Sequence, residues 1–411
     1  MKSPPTVPGA YLLDGVLLTD GAELAEATVA VADGHIEYAG PSEGLSPNLR
    51  SRYSTMPLQS DAIILPGLID LHCHGAVGGD FPGGDTDSIR AAVHFLHRSG
   101  TTTLLASLVT ADRPDLLRAA EILRPLAGEG LIAGIHAEGP FLASARCGAQ
   151  DPRFLLDPDI GLVEELMRRS GGHLRTMTYA PELPDAAHLV KALTRLGVIP
   201  SLGHTDADAA TAAASLMAAA NDLATVFPGS AKRPTVTHLF NGMPPLHHRS
   251  PGPVGACLRL AAEGAIALEL IADGVHLDPE TVRMVFSTAG AANILLVTDS
   301  MSATGLPDGD YELGPAAVRV SAGEARLKSD NSLAGGTATL LDVVRRTVEA
   351  GVSPAAAVLS ATAVPAAVLG LGASVGSLRA GMRADILVTD GQLSPAVVMR
   401  AGRVLTPPTP R

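Results

Sequence analysis

The sequence predicts an α/β protein, a (β/α)8 barrel of TIM type joined to a small β-sandwich domain built from both chain termini. Three observations carry this prediction. Eight short apolar runs recur through the middle of the chain, and stretches with helical spacing separate most of them. Continuous apolar strands alternating with helices describe a parallel sheet buried on both faces, and eight such units in roughly 240 residues match the size of a barrel. Most runs also end in a chemically capable residue, and the two ends of the chain carry shorter β-like runs broken by Gly and Asp.

In chain order, Leu12 to Gly40 reads as strands of the small domain. The barrel runs are Leu68 to Leu71, "TTTLLASLV" from Thr101, "LIAGIHAEG" from Leu131, "LRTMTYAPE" from Leu174, "GVIPSLGHT" from Gly197, "TVTHLFNGM" from Thr235, "IALELIADGVH" from Ile266 and "NILLVTDSM" from Asn293. Between them, Asp85 to Gly100 and Thr205 to Asn221 have helical spacing and open on N-capping residues. Tyr311 to Ser332 reads as a hairpin excursion after the eighth run, Thr337 to Leu369 as closing helices, and Gly376 to Leu405 as the returning β segment. The predicted division is 1–62 with 372–411 for the small domain and 63–371 for the barrel.

With 411 residues, 46% of them hydrophobic and 18% charged, the chain can bury a large core. It contains no apolar stretch able to span a bilayer, and its first residues lack the apolar core of a signal peptide, so a cytoplasmic location is expected. Three cysteines, Cys73, Cys147 and Cys257, are too few and too uneven for a disulfide framework. Trp is absent, aromatics are 3% and the net charge is −12, which together argue against nucleic acid and anionic membranes as partners. An anionic substrate would therefore need a local cation.

The strand-end residues carry the chemistry. The first run ends in His72 and His74, the third in Glu138, the fifth in His204, the sixth in His238 and Asn241, the seventh in Asp273 and His276, and the eighth in Asp299. Barrel active sites lie at the rim formed by these ends. Residues two apart on a strand face the same way, so His72 and His74 project together while Cys73 points away. One such histidine alone reads as a hydrogen-bonded strand-end residue. Four histidines and two carboxylates at the ends of five strands read as a metal centre, with imidazole and carboxylate suiting zinc, iron, manganese or cobalt. No cysteine joins them, which argues against a closed structural zinc site.

These residues lie in motifs that resemble the amidohydrolase superfamily: "IDLHCHG" from Ile69, "GHT" from Gly203, "TDS" from Thr298 and "LRAGMRADILVTD" from Leu378. Within it, "HAEGPFL" from His136, "SLGHTDA" from Ser201, "THLFNGMPPLHHRSPG" from Thr237, "IADGVHL" from Ile271, "VTDSM" from Val297 and "LAGG" from Leu333 resemble the N-acetylglucosamine-6-phosphate deacetylases. The resemblance implies metal-dependent hydrolysis of the acetamide of a phosphorylated amino sugar. It implies one divalent metal held by Glu138, His204 and His238, and a second held by His72 and His74 with Glu138 and Asp299. It further implies that Asp299 carries the proton from water to the departing nitrogen. Substrate contacts are implied for Asn241, the backbone of Gly242, His276 and Arg249, the last reaching the 6-phosphate from the neighbouring subunit of a homodimer. A guanidinium suits that task because it grips phosphate with two hydrogen bonds.

The chain departs from the family pattern in two places. Gln150 stands where many relatives carry a histidine near the acetyl carbonyl, and Gly242 where alanine is usual. His35, His94, His97, His136, His173 and His188 are read as structural, His136 being the one of them that faces the same way as Glu138 and could lie beside the ligands; His247 and His248 are read as part of a solvated basic turn, and Cys147 as a free thiol on a loop. Two other readings are weighed. An N-acyl-D-amino-acid deacylase or cyclic amide hydrolase would keep the metal centre but would not need Asn241, Arg249 and His276 together. A non-catalytic protein on the same barrel would not need all six ligand positions intact.

Overall fold

The structure, a computed structural model, describes residues 9–407; the outer parts of the predicted small domain, 1–8 and 408–411, and with them most of the segment read for a signal peptide, lie outside the described residues. Both termini contribute to one hydrogen-bonded sheet. Its path runs Arg403–Leu405, Pro395–Arg400, Ile386–Thr389, Ile63–Pro66, Tyr11–Thr19, Ala22–Ala32 and His35–Pro41. The sheet folds back on itself, because the Ile36 N–H donates to the Met382 carbonyl at 2.9 Å, just before Ile386–Thr389 begins. Leu13, Val29, Val31, Ile36, Ile64, Ile386, Val388 and Met399 fill the fold between its faces.

One strand falls on the other side of the predicted boundary. Ile63–Pro66, assigned from sequence to the start of the barrel, pairs in parallel with Val16 and Leu17 and antiparallel with Ile386–Thr389. Its apolar run is continuous with the first barrel strand, and only the intervening Gly67 separates the two pairings. A Cβ at Gly67 would lie 2.1 Å from the Thr102 hydroxyl oxygen, so the chain crosses between the sheets where a side chain would not fit.

The barrel strands are β1 (Leu68–Asp70), β2 (Thr101–Leu108), β3 (Gly134–Glu138), β4 (Leu174–Tyr179), β5 (Ile199–Leu202), β6 (Thr235–Val236), β7 (Ala267–Leu270) and β8 (Ile294–Leu296). They pair in sequence order and in parallel from β1 to β8. The ring closes beyond the ends of β1 and β8: Cys73 bridges Ser300 in parallel, the Asp299 N–H donates to the His72 carbonyl at 2.9 Å, and the His74 N–H to the Ser300 carbonyl at 2.7 Å. Closure thus occurs at the level of the predicted ligands, and it ties the first and last of them to each other.

Helix Thr86–Arg98 shows why the intervening segments are helical. Asp85 accepts from the N–H groups of Asp87 and Ser88, and Ile89, Ala92, Val93 and Leu96 form one buried face. The helix after β5 starts later than its spacing suggested. Asp208, not Thr205, caps Ala209–Val226 by accepting from the Thr211 N–H at 2.7 Å, while the Thr205 hydroxyl accepts from the Ala207 N–H at 3.0 Å and donates to Glu182 in the turn before the helix. After β8, the predicted hairpin is a three-stranded meander of β9 (Gly309–Leu313), β10 (Ala316–Ser321) and β11 (Glu324–Leu327). Its apolar residues Leu313, Val318 and Val320 pack on Val109 and Met301, which sets Leu313 above the barrel mouth. Helices Leu340–Glu349, Pro354–Ser360 and Ala363–Leu369 follow.

Candidate metal centre

All six predicted ligand residues meet at the rim. His72, His74 and Asp299 form one group of donors and Glu138, His204 and His238 another, with the ligand atoms in each group within 4.8 Å of one another. Glu138 joins the two. Its Oε1 lies 2.8 Å from His204 Nε2 and 3.0 Å from His238 Nε2, while its Oε2 lies 3.3 Å from His74 Nε2 and 3.7 Å from His72 Nε2. Asp299 Oδ1 lies 3.1 Å from His74 Nε2 and 3.4 Å from His72 Nε2. Glu138 ends β3, while the other five stand two to four residues beyond β1, β5, β6 and β8, where the chain leaves the ladder and can turn side chains inward.

That turn strains the backbone. His204 (φ 48°), His238 (φ 30°) and Asp299 (φ 49°) occupy the left-handed region that β-carbon-bearing residues normally avoid. Such conformations cluster at functional sites because surrounding structure must hold them. At Asp299 the holder is visible: Gly336 N–H donates to its carbonyl at 2.7 Å, and a Cβ at Gly336 would lie 2.4 Å from the Thr298 carbonyl oxygen. The "LAGG" motif is therefore a close backbone brace behind Asp299.

The outward nitrogens of three of the candidate imidazoles are occupied. His74 Nδ1 pairs with the Ser107 carbonyl at 3.2 Å and His204 Nδ1 with the Arg146 carbonyl at 2.8 Å. Each can only donate to a carbonyl oxygen, so the proton sits on Nδ1 and the Nε2 lone pair faces the centre. His72 Nδ1 lies 3.1 Å from Glu269 Oε2. His238 Nδ1 is buried and has no hydrogen-bond partner among the described residues. Three Nε2 lone pairs so directed, with His238 Nε2 3.0 Å from Glu138 Oε1, converge with two carboxylates, and a divalent cation satisfies such a set. The residues present therefore fit one or two divalent metals.

Electrostatics agree with this. Burial would suppress charge on His72, yet the carboxylates of Asp299 and Glu138 hold its affinity for a positive charge well above the ordinary imidazole value. His74 is pushed up to about 9 against its own burial by Asp299 and Glu138. Burial would also raise both carboxylates, but His72 dominates the opposing pull on each, taking Asp299 down to about 2 and Glu138 well below its usual range. The site thus favours ionised carboxylates and a compensating positive charge.

The remaining predicted residues are distributed unevenly. Gln150, Asn241, Gly242 and His276 line an open cleft together with His74, Glu138, His204, His238 and Asp299, and Leu313, Leu333 and Gly335 complete its lining. Gln150 Nε2 donates to Glu138 Oε2 at 2.6 Å, so it braces that carboxylate besides facing the cleft. His276 Nδ1 pairs with Asp273 Oδ2 at 2.8 Å; although burial opposes it, that pairing raises the imidazole above its ordinary value. Asn241 donates to the His238 carbonyl at 3.2 Å. Arg249 is exposed on the loop after β6 and does not line the cleft of its own chain. Cys147 is a free, half-buried thiol beside the cleft, while Cys73 and Cys257 are buried.

His136 does face inward. Its ring meets that of His72 edge to face at 4.6 Å between centroids, and its nitrogens lie 2.9 Å from the Ser107 hydroxyl and 2.8 Å from the Thr178 hydroxyl. Burial, with His72 nearby, keeps it neutral. Sequence reasoning missed Glu269 and Ser107. Glu269 had a signal, as the one carboxylate inside the apolar stretch "IALELIA"; Ser107 had none.

A family model described as the amidohydrolase family matches residues 63–405. The chain is 30% identical, over 95% of its length and 96% of the other, to an N-acetylglucosamine-6-phosphate deacetylase of Bacillus subtilis (strain 168). It is 32% identical, over 92% of its length and 94% of the other, to an N-acetylgalactosamine-6-phosphate deacetylase of Escherichia coli O157:H7. Among solved structures, it resembles a mutant N-acetyl-D-glucosamine-6-phosphate deacetylase of Mycobacterium smegmatis in complex with N-acetyl-D-glucosamine-6-phosphate. That match has a TM-score of 0.82 and 35% identity, covering 96% of this chain and 99% of that one.

Proposed function

The chain belongs to the amidohydrolase family, and from that premise we propose that it hydrolyses the acetamide of N-acetyl-D-glucosamine 6-phosphate to D-glucosamine 6-phosphate and acetate, in amino-sugar catabolism and cell-wall recycling. The observation that carries this reading is the cleft itself. It brings the six-residue donor cluster, suited to an amide carbonyl and a water, beside Asn241, Gly242 and His276, suited to the oxygens of a sugar.

Glu138, His204 and His238 would hold one divalent metal, and His72, His74 and Asp299, with Glu138, a second; zinc suits the donor set best. When bound, the metal acidifies water and polarises the amide carbonyl. The rest of the chemistry belongs to the chain. Asp299 is the only one of the six whose side chain is appreciably open to the cleft, 13% against 0–6% for the others. Its carboxylate takes the proton of the attacking water and returns it to the sugar nitrogen as the C–N bond breaks, so the nitrogen leaves as an amine. Gln150 holds Glu138 in its bridging orientation, and its amide faces the acetyl group. His276, fixed by Asp273, and Asn241 orient the sugar, with the Gly242 backbone beside them.

Among the described residues, the cleft wall contributed by one chain contains no Arg or Lys. We assign the phosphate to Arg249 of a neighbouring subunit, which makes the working unit a homodimer. A cytoplasmic location is supported by the three unpaired cysteines, and the barrel of 63–371, less the strand at its start, is the catalytic domain in this reading.

The test is acetate release by metal-loaded protein from N-acetylglucosamine 6-phosphate, N-acetylgalactosamine 6-phosphate and unphosphorylated N-acetylglucosamine. Preference for the first over both others is expected. Preference for the galactosamine compound would move the assignment to the activity named for the Escherichia coli relative, and turnover of none with metal present would reject the reading.

A further inference from the structure

Glu269 lies in the middle of β7, is 2% exposed, and has no counterpart in the ligand set. A buried carboxylate in an apolar strand costs several kcal/mol unless it is satisfied, so its partners explain its presence. It has two, both at Oε2: His72 Nδ1 at 3.1 Å and the backbone N–H of His238 at 3.3 Å. These belong to the two different donor groups. Glu269 therefore touches one residue of each half of the centre while contributing no atom to either.

The two contacts differ in strength and in consequence. The His238 contact is long, and that residue's position is also set by its neighbours, since the Thr237 N–H donates to Leu202 and the Leu239 N–H to the Glu269 carbonyl, both at 2.9 Å. The His72 contact decides a tautomer. An ionised carboxylate accepts only, so Nδ1 carries the proton and the Nε2 lone pair is directed at His74, Glu138 and Asp299. The partners of His74 and His204 are neutral backbone carbonyls, and His238 Nδ1 has none among the described residues. Only His72 is backed by a charged group, which makes it the most electron-rich imidazole of the four.

We infer that Glu269 is the positioning residue for the His72–His74–Asp299 group: it sets the tautomer and direction of His72, so that this group's affinity for a metal depends on a side chain outside the ligand set. This rests on the metal-dependent reading above and goes beyond it, because it assigns the filling of the second position to a residue outside the ligand set. Glu269→Gln keeps shape and volume but offers His72 a neutral amide. Loss of such a hydrogen-bonded partner typically weakens metal binding 10- to 100-fold.

The experiment titrates the metal-free full chain, wild type and Glu269→Gln, with Mn2+ alone, reading bound metal by mass spectrometry and spin coupling by electron paramagnetic resonance. The wild type should take up about two equivalents with a coupled two-manganese signal. The variant should keep the tighter equivalent, bind the other about 10- to 100-fold more weakly and show an uncoupled signal at low loading. Equal second-site affinity in both proteins, or a wild type that takes up one equivalent only, would overturn the inference while leaving the metal reading standing. A wild type that takes up no metal would reject that reading and this inference with it. Should the variant not fold, the imidazole 15N shifts of His72 in the metal-free wild type decide the matter: protonation at Nδ1 is expected, and protonation at Nε2 alone would refute it.

Discussion

Gln150 Nε2 donates to Glu138 Oε2 at 2.6 Å, and the Thr110 N–H fixes the other end of the same amide at 2.7 Å. The amide therefore cannot flip without turning its oxygen onto a carboxylate and its NH2 onto a backbone donor. A side chain expected only to face the substrate also holds the one carboxylate shared by both donor groups. Gln150→Ala should lower metal affinity by about 10- to 100-fold, the usual loss for a ligand's hydrogen-bond partner. Calorimetric titration of the metal-free protein checks this, and unchanged affinity would restrict Gln150 to the substrate.

Asp299→Asn should separate ligation from proton transfer. An amide oxygen can still face a metal, but it cannot carry a proton at working pH. Turnover should fall by about 100- to 10,000-fold, the range for a positioned acid–base group, while metal content measured on the same sample persists. Loss of metal in parallel with activity would make Asp299 a ligand only.

Arg249→Ala should erase the preference for a phosphorylated sugar. Hydrogen bonds to charged groups contribute about 1.5–3 kcal/mol, so kcat/KM for the phosphorylated substrate should drop by roughly 10- to 150-fold, mostly in KM. The value for the unphosphorylated sugar should stay put. A mixture of this variant with a protein inactivated at Asp299 should recover part of the activity, since one mixed cleft then receives an intact Arg249 across the interface.

Gly336→Ala is expected to destabilise the protein by about 1–3 kcal/mol, as overpacking against fixed atoms does. The added methyl would meet the Thr298 carbonyl at 2.4 Å, and backbone cannot rotate away as a flexible side chain can. Chemical denaturation would measure the loss, and metal binding at the Asp299 position should weaken with it.

His97 provides a pH dependence remote from the centre. It is 2% exposed, its Nε2 has no hydrogen-bond partner among the described residues, and burial, then the charge of Arg400, holds its basicity well below the ordinary value. The unfolded chain then binds a proton that the folded chain refuses. Its contribution to stability is complete above the unfolded value of 6.5 and is lost as pH falls below it, at up to about 1.36 kcal/mol per pH unit. Urea midpoints at pH 7.5 and 5.5 should therefore differ less in His97→Leu than in the wild type.

The candidate ligands were legible because each stands at or just beyond the end of an apolar run, and the periodicity of such runs is a local property. Asp299 and the "HCH" pair could be placed at the same rim without knowing their separation, since every parallel strand of a barrel ends on one side. Glu269 was not legible in this way. It pairs with a residue 197 positions earlier, and nothing near "LEL" encodes the partner. The same holds for Gln150, whose loop had no periodicity to indicate which way its amide would turn.

The sequence by itself determined the barrel, the terminal β domain and the identity of the six rim donors, through hydrophobic period, strand-end chemistry and motif order. Tertiary structure alone decided that Ile63–Pro66 joins the terminal sheet, that the ring closes between Cys73 and Ser300, and that Glu138 spans both donor groups with Gln150 and Glu269 behind them. The physical reason is range: burial pattern and backbone preference are set by near neighbours, whereas sheet partners and carboxylate–imidazole pairs depend on where closure brings distant segments together.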